Sequence, residues 1–175
     1  RDCLECVSIR IPVSGFTHSK SQLRAKRRFH RFRAVFGPPV ADEERLALYA
    51  LWHKGREASR AWAPSPMDDE AYESQFAFPH PAARELAFYE EGPSGRRLVA
   101  LGLCDEMPRA LSAIYFFYHP DVAHLSPGVA NVLTLVDLAR SKGLQHVYLG
   151  YRVLGCPSMR YKRGFLPHEL LTGRP

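Results

Sequence analysis

The second half of this sequence predicts an α/β fold around a mixed sheet, on three observations. Residues 85–91, 98–104 and 111–118 form extended runs dense in aliphatic, aromatic and β-branched side chains, and the first two flank the turn Gly92-Pro93-Ser94-Gly95. Residues 129–142 space their apolar side chains with a helical period, with Pro127 at a first-turn position and Gly143 as a stop. Residues 147–153 then return to strand composition. A hairpin, a third strand, a crossover helix and a further strand make an α/β arrangement.

The earlier elements follow in chain order. Val7-Ser8-Ile9-Arg10-Ile11-Pro12-Val13 alternates apolar with polar or proline positions, the period of a half-buried strand whose proline favours a sheet edge. Residues 19–36 open on serines and close before Gly37-Pro38, which predicts a basic amphipathic helix with Phe29, Phe32 and Phe36 on one face. Residues 42–62 predict a second helix. Asp42, Glu43 and Glu44 complement its dipole, and Leu46, Leu48, Tyr49 and Trp52 form a stripe for the core. The proline-rich stretch 63–81 reads as an irregular connection with one short helix over 68–75.

Charge is unevenly placed along the 175 residues. The total is +6, yet residues 1–36 hold nine basic and two acidic side chains, a net of +7, leaving −1 for the rest. A uniformly basic protein is thereby excluded, and no apolar run approaches the roughly 18 residues that span a bilayer. An apolar fraction of 46% is globular. The length suits one core with a small appendage: residues 1–37 as a cysteine-containing basic region and 38–175 as a second domain. Cys3, Cys6, Cys104 and Cys156 do not read as a disulfide framework, and no leader-like segment is present, so a reducing cytoplasm is expected. The first residue is Arg1 rather than Met, and a truncated N-terminus is expected.

Three constellations carry possible chemistry. Cys3-x-x-Cys6 is half of a tetrahedral zinc or iron–sulfur site, whereas Cys104 and Cys156 read as buried small hydrophobes. The basic helix suits a polyanion, because clustered Lys and Arg gain by counterion release. Residues 148–165 carry four cationic side chains and three tyrosines with no acid, a composition for an unstacked nucleotide or an acidic substrate group. Asp105, at a strand end, suits either an amine or a turn cap. The sequence contains no Walker loop, dinucleotide fingerprint, His-Glu-x-x-His helix or nucleophile elbow. The pyrophosphate loop of acetyl-CoA users is replaced by His124-Leu125-Ser126-Pro127-Gly128, which points to a different acyl donor.

The segments Leu98-Val-Ala-Leu-Gly-Leu-Cys-Asp105, Leu111-Ser-Ala-Ile-Tyr115-Phe-Phe-Tyr118-His-Pro-Asp121, Tyr148-Leu-Gly-Tyr151 and Cys156-Pro-Ser-Met-Arg-Tyr161-Lys162 resemble the C-terminal domain of the arginyl-tRNA–protein transferase family. Cys6-Val-Ser-Ile-Arg10-Ile-Pro12-Val-x-x-Phe16 with Ser19-x-Ser21-Gln22-x-Arg24 is similar to its N-terminal domain, most of all in the bacterial leucyltransferase branch. The resemblance implies a GNAT-like fold fed by aminoacyl-tRNA. Leucine or arginine would pass to proteins beginning with Asp or Glu, which are thereby marked for N-degron degradation. It also implies a further cysteine just before Arg1, leaving any zinc or iron–sulfur site at Cys3 and Cys6 incomplete in this chain. Departures are Ser158 for a usual lysine, Pro127 for a common leucine and Leu23 for an arginine.

An aminoacyl ester is already activated, and an α-amine with a pKa of about 7.7–8.0 is partly neutral at physiological pH, so the chemistry requires no cofactor. Asp105 is expected to orient or deprotonate the amine, with Tyr115 or Tyr151 holding the carbonyl. Arg10, Arg152, Arg160, Tyr161 and Lys162 are the expected substrate contacts, and Arg24, Lys26, Arg27 and Arg28 the expected tRNA contacts. An acyl-CoA N-acyltransferase and a non-catalytic RNA-binding module are the alternatives.

Overall fold

The computed structural model describes residues 6–64, 66–93, 95–153 and 155–171. Their strands are β1 (Val7–Pro12), β2 (Arg33–Gly37), β3 (Ala83–Gly92), β4 (Gly95–Met107), β5 (Ala110–Tyr118), β6 (His146–Arg152) and β7 (Glu169–Leu170). The helices are α1 (Lys20–Phe29), α2 (Glu43–Arg60), α3 (Asp69–Phe76) and α4 (Pro127–Ser141), with 3₁₀ segments at Pro120–Leu125 and Pro157–Gly164. One sheet results, ordered β2-β3-β4-β5-β6-β1-β7. Every neighbouring pair is antiparallel except β5 and β6, which run parallel because α4 carries the chain back between them. The mixed sheet expected from the sequence is therefore present. The basic N-terminal region is woven into it, β1 beside β6 and β2 beside β3. Beyond Ile9 and Arg10, β7 no longer covers β1, and Pro12 lies along that open edge.

One element departs from the sequence reading. The basic helix does not run to Phe36: α1 ends at Phe29, and residues 33–37 form β2. The reason is tertiary. Phe29 and Phe32 turn into the core, 4.7 Å apart, with Phe29 against Phe88 at 5.1 Å, and Ala34-Val35-Phe36 then pairs along the otherwise bare edge of β3. The three phenylalanines do share one apolar cluster, but through a helix–strand corner. Arg31 and Arg33 leave the helix face in consequence and sit near Glu90 and Glu91.

Helices cover both sheet faces. α1 and α4 bury Phe29, Leu133, Val136 and Ala139 against one, while α2 and α3 bury Leu48, Tyr49, Trp52 and Tyr72 against the other. Cys104, at 2% exposure, is part of the first layer, and burial pushes its thiol pKa up to about 12. α2 is bolted down by polar contacts that the apolar stripe did not reveal. Asp42 caps its N-terminus, Glu44 accepts the Leu98 backbone N–H at 2.7 Å, and Arg45 reaches Glu85 on β3 with two donor nitrogens. Burial by itself lowers the pKa of the Arg45 guanidinium, but the Glu85 hydrogen bonds outweigh it and hold Arg45 above its ordinary value.

Candidate active site

The site begins where the sheet comes apart. β5 and β6 pair only from Ala110 with His146 to Ser112 with Tyr148, although β5 continues to Tyr118 and β6 to Arg152. A cleft of about 350 Å³ opens beyond the last pair. β5 supplies Ala113, Ile114, Tyr115, Phe116 and Tyr118, β6 supplies Leu149, α2 supplies Trp52, Arg56 and Arg60, α4 supplies Gly128, Asn131 and Val132, and the 3₁₀ segment supplies Met159, Tyr161 and Lys162. Because strand side chains alternate, Tyr115 faces α2 while Phe116 faces the start of α4. The cleft is therefore reached from both faces of the sheet.

Among the described residues its lining has three cations and no carboxylate. Arg56 is half-buried and lies over Trp52, with its guanidinium 5.0 Å from the ring, and it donates to the Tyr118 hydroxyl at 2.8 Å. Trp52 also meets Tyr115 edge-on at 5.7 Å, and Tyr115 stacks on Phe76 at 5.3 Å. Burial, then the neighbouring Tyr49, raises the Tyr115 phenol pKa, so the hydroxyl stays protonated as a donor. Lys162 donates to the Tyr151 carbonyl at 3.0 Å, and burial holds its pKa below that of an ordinary lysine. Gly150, next to that carbonyl, takes φ +72°, a left-handed conformation that favours glycine.

The residues singled out from the sequence divide by this geometry. Tyr115, Tyr161 and Lys162 line the cleft. Asp105 does not: it pairs with Ser112, at the closed end where β5 and β6 are still joined. Tyr151 and Arg160 are exposed beside the cleft, and Arg152 is half-buried with its Nε unpartnered among the described residues. Arg10 is held at the β1–β7 edge by Glu169 at 2.6 Å and Tyr148 at 2.8 Å. Cys3 lies outside the described residues, and Cys6 is exposed. No group of three or more His, Cys, Asp or Glu among the described residues is placed to hold a metal.

Arg56 and Asn131 escaped the sequence reading. A helical arginine reads as solvated, but Trp52 and Arg56 stand i, i+4 on α2, a spacing that stacks cation on ring. Asn131 carries no such signal, being a single amide in an apolar helix.

α1 reaches this site through a shared wall. Ser19 accepts the Gln22 N–H at 3.3 Å, the Gln22 side chain accepts the Ser19 N–H at 2.8 Å, and Gln22 Nε2 donates to the Gly164 carbonyl at 3.0 Å. This capping box both starts the helix and ties it to the segment bearing Tyr161 and Lys162. Ser19, Ser21, Ser126 and Tyr161 line a separate groove of about 200 Å³ beside α1, with Tyr161 shared between groove and cleft. Arg24, Arg27 and Arg28 are exposed on α1, with no carboxylate partner among the described residues. Lys26 is instead paired with Asp137 of α4. No helix among the described residues is long and apolar enough to cross a membrane.

Comparison with known proteins fits this geometry. Solved structures share the fold at low identity: FemX, at TM-score 0.66 and 9% identity, covers 94% of this chain and 59% of its own, and a tandem GNAT protein from the clavulanic acid biosynthesis pathway, at 0.55 and 10%, covers 97% and 51%. The fold is GNAT-like. The aspartate/glutamate leucyltransferase of Campylobacter jejuni is 32% identical over 175 residues, 99% of this chain and 71% of its own. That of Halorhodospira halophila is 37% identical over 173 residues, 98% and 71%. Residues 44–172 match the family described as arginine-tRNA-protein transferase, C terminus. The chain thus belongs to the arginine-tRNA-protein transferase family and is an aminoacyltransferase.

Proposed function

We propose that this protein moves leucine from charged tRNA to the α-amine of proteins beginning with Asp or Glu, marking them for N-degron degradation. The carrying observation is the uncompensated Arg56 guanidinium in an aromatic cleft with no lining carboxylate among the described residues. A cation fixed there without a carboxylate partner among the described residues is a receptor for an incoming carboxylate. Arg56 and Arg60 stand on the α2 face, so the acidic acceptor enters from that side. Phe116, Val132, Leu149 and Met159 give the other side an apolar lining suited to a leucyl group.

The donor approaches over α1 and α4, along the groove that ends at Tyr161. Arg24, Arg27 and Arg28 hold the tRNA body, the serines and Tyr161 accompany its single-stranded end, and the ester arrives between β5 and β6. Replacing the three arginines by alanine should weaken tRNA binding and flatten its salt dependence. The slope of log K against log salt should fall by ~0.7–0.9 for each phosphate that is no longer neutralised, measured by filter binding across a salt series.

The reaction then needs alignment more than a cofactor. Holding a neutral amine against an activated ester contributes up to about 7–11 kcal/mol when the atoms are aligned. With Asp105 outside the lining, the amine enters already neutral, and the Tyr115 hydroxyl remains available as a donor within the cleft. The test offers leucyl-tRNA and arginyl-tRNA to peptides beginning with Asp, Glu or Ala, using the full-length protein. Leucine should appear on the Asp and Glu peptides; no transfer from either donor would overturn the reading.

A further inference from the structure

We propose that Asn131 is a catalytic residue, its side-chain Nδ2–H holding the carbonyl oxygen of the aminoacyl ester as that oxygen becomes an oxyanion. The assignment rests on aminoacyl transfer taking place in the cleft between β5 and β6.

Asn131 is 4% exposed, on the core side of α4 beside Ala130, Val132 and Leu133. Its Oδ1 is sealed from solvent with no hydrogen-bond partner among the described residues. The amide is seated against β4 at Gly102, where a Cβ would come within 2.4 Å of Oδ1. Only a glycine admits the side chain in that position. The Nδ2 end makes no hydrogen bond among the described residues and is not sealed like Oδ1, and the residue lines the cleft. An amide buried without a partner is costly, and an apolar side chain would pack this surface of α4 without that cost. What the amide supplies is a donor fixed in place before substrate arrives, on a low-dielectric wall where such donors act most strongly.

The step balances without a co-reactant. The lone pair of the neutral α-amine forms the new C–N bond at the ester carbonyl carbon, and the carbonyl electron pair moves to oxygen, where Nδ2–H meets it. Collapse restores C=O and breaks the ester C–O bond. The ribose oxygen leaves with the proton that the amine gives up. Tyr115 lines the same cleft and offers its hydroxyl as a second donor.

The test is single-turnover leucine transfer with full-length protein, leucyl-tRNA and an Asp-starting peptide. Binding of tRNA and peptide and thermal unfolding are measured in parallel. Asn131→Ala should slow the transfer step by about 100- to 1000-fold, with both affinities and the melting temperature near wild type. Asn131→Asp keeps the shape but replaces the donor with a carboxylate, so it should be at least as slow. Gly102→Ala should push the amide out of place and cause a similar loss, and the double variant should be no slower than Asn131→Ala. Wild-type rates for Asn131→Ala and Asn131→Asp would overturn the role, as would losses that follow weaker binding. A wild-type protein that transfers nothing would instead overturn the reaction itself.

Discussion

Glu85→Ala should lower the stability of this protein by about 3–5 kcal/mol, because it strips the buried one of two carboxylate partners from a buried guanidinium. Arg45 is 6% exposed and Glu85 4%, and Arg45 donates to Glu85 from Nε at 2.9 Å and also from Nη2. Without the carboxylate, Arg45 retains Asp42, at the helix start, and the Tyr89 hydroxyl at 3.3 Å. At roughly 2–4 °C per kcal/mol for a chain of this size, the melting temperature should fall by about 6–20 °C. Replacing both residues with leucine should restore much of that, since an apolar pair of similar volume removes the desolvation cost along with the attraction. Urea unfolding of the two variants checks this, and a loss under ~1 kcal/mol for Glu85→Ala would contradict it.

Arg56→Ala should reduce kcat/KM for Asp- and Glu-starting peptides by about 30-fold to several thousand-fold. That range corresponds to the ~2–5 kcal/mol lost when one member of a desolvated charge pair is removed. Leucyl-tRNA affinity should stay unchanged, because Arg56 lies on the acceptor side of the cleft. Arg56→Lys should recover only part of the loss. Tyr118 and Trp52 hold a planar guanidinium whose remaining donors grip a carboxylate, and an ammonium keeps the charge but not the fork. Steady-state transfer with Asp-, Glu- and Ala-starting peptides checks this. An Arg56→Ala enzyme that still prefers acidic acceptors would exclude Arg56 as their reader.

The two predictions share one helix face. Arg45, Tyr49, Trp52, Arg56 and Arg60 recur at helical spacing along α2, so the Glu85 contact that seats the start of the helix also sets where Arg56 meets the cleft.

Much of this was legible in the sequence. Periodicity, the serines that open residues 19–36, the acidic start at residues 42–44, the turn at residues 92–95 and the stop at Gly143 reflect local preferences written within a few residues. They located β3, β4, β5, α4 and β6. The motifs identified the family, and Tyr115, Tyr161 and Lys162, singled out from the sequence, line the cleft. Tertiary structure alone decided the rest. Residues 33–37 became a strand because β3 offered an unpaired edge, a partner about fifty residues away that no helical period reveals. Asp105 was left out because the separation of β5 from β6 begins beyond Ser112. Arg56 and Asn131 became site residues because α2 and α4 pack on opposite faces of that separation, and the chemistry of each depends on neighbours distant in sequence: Tyr118 for one and Gly102 for the other.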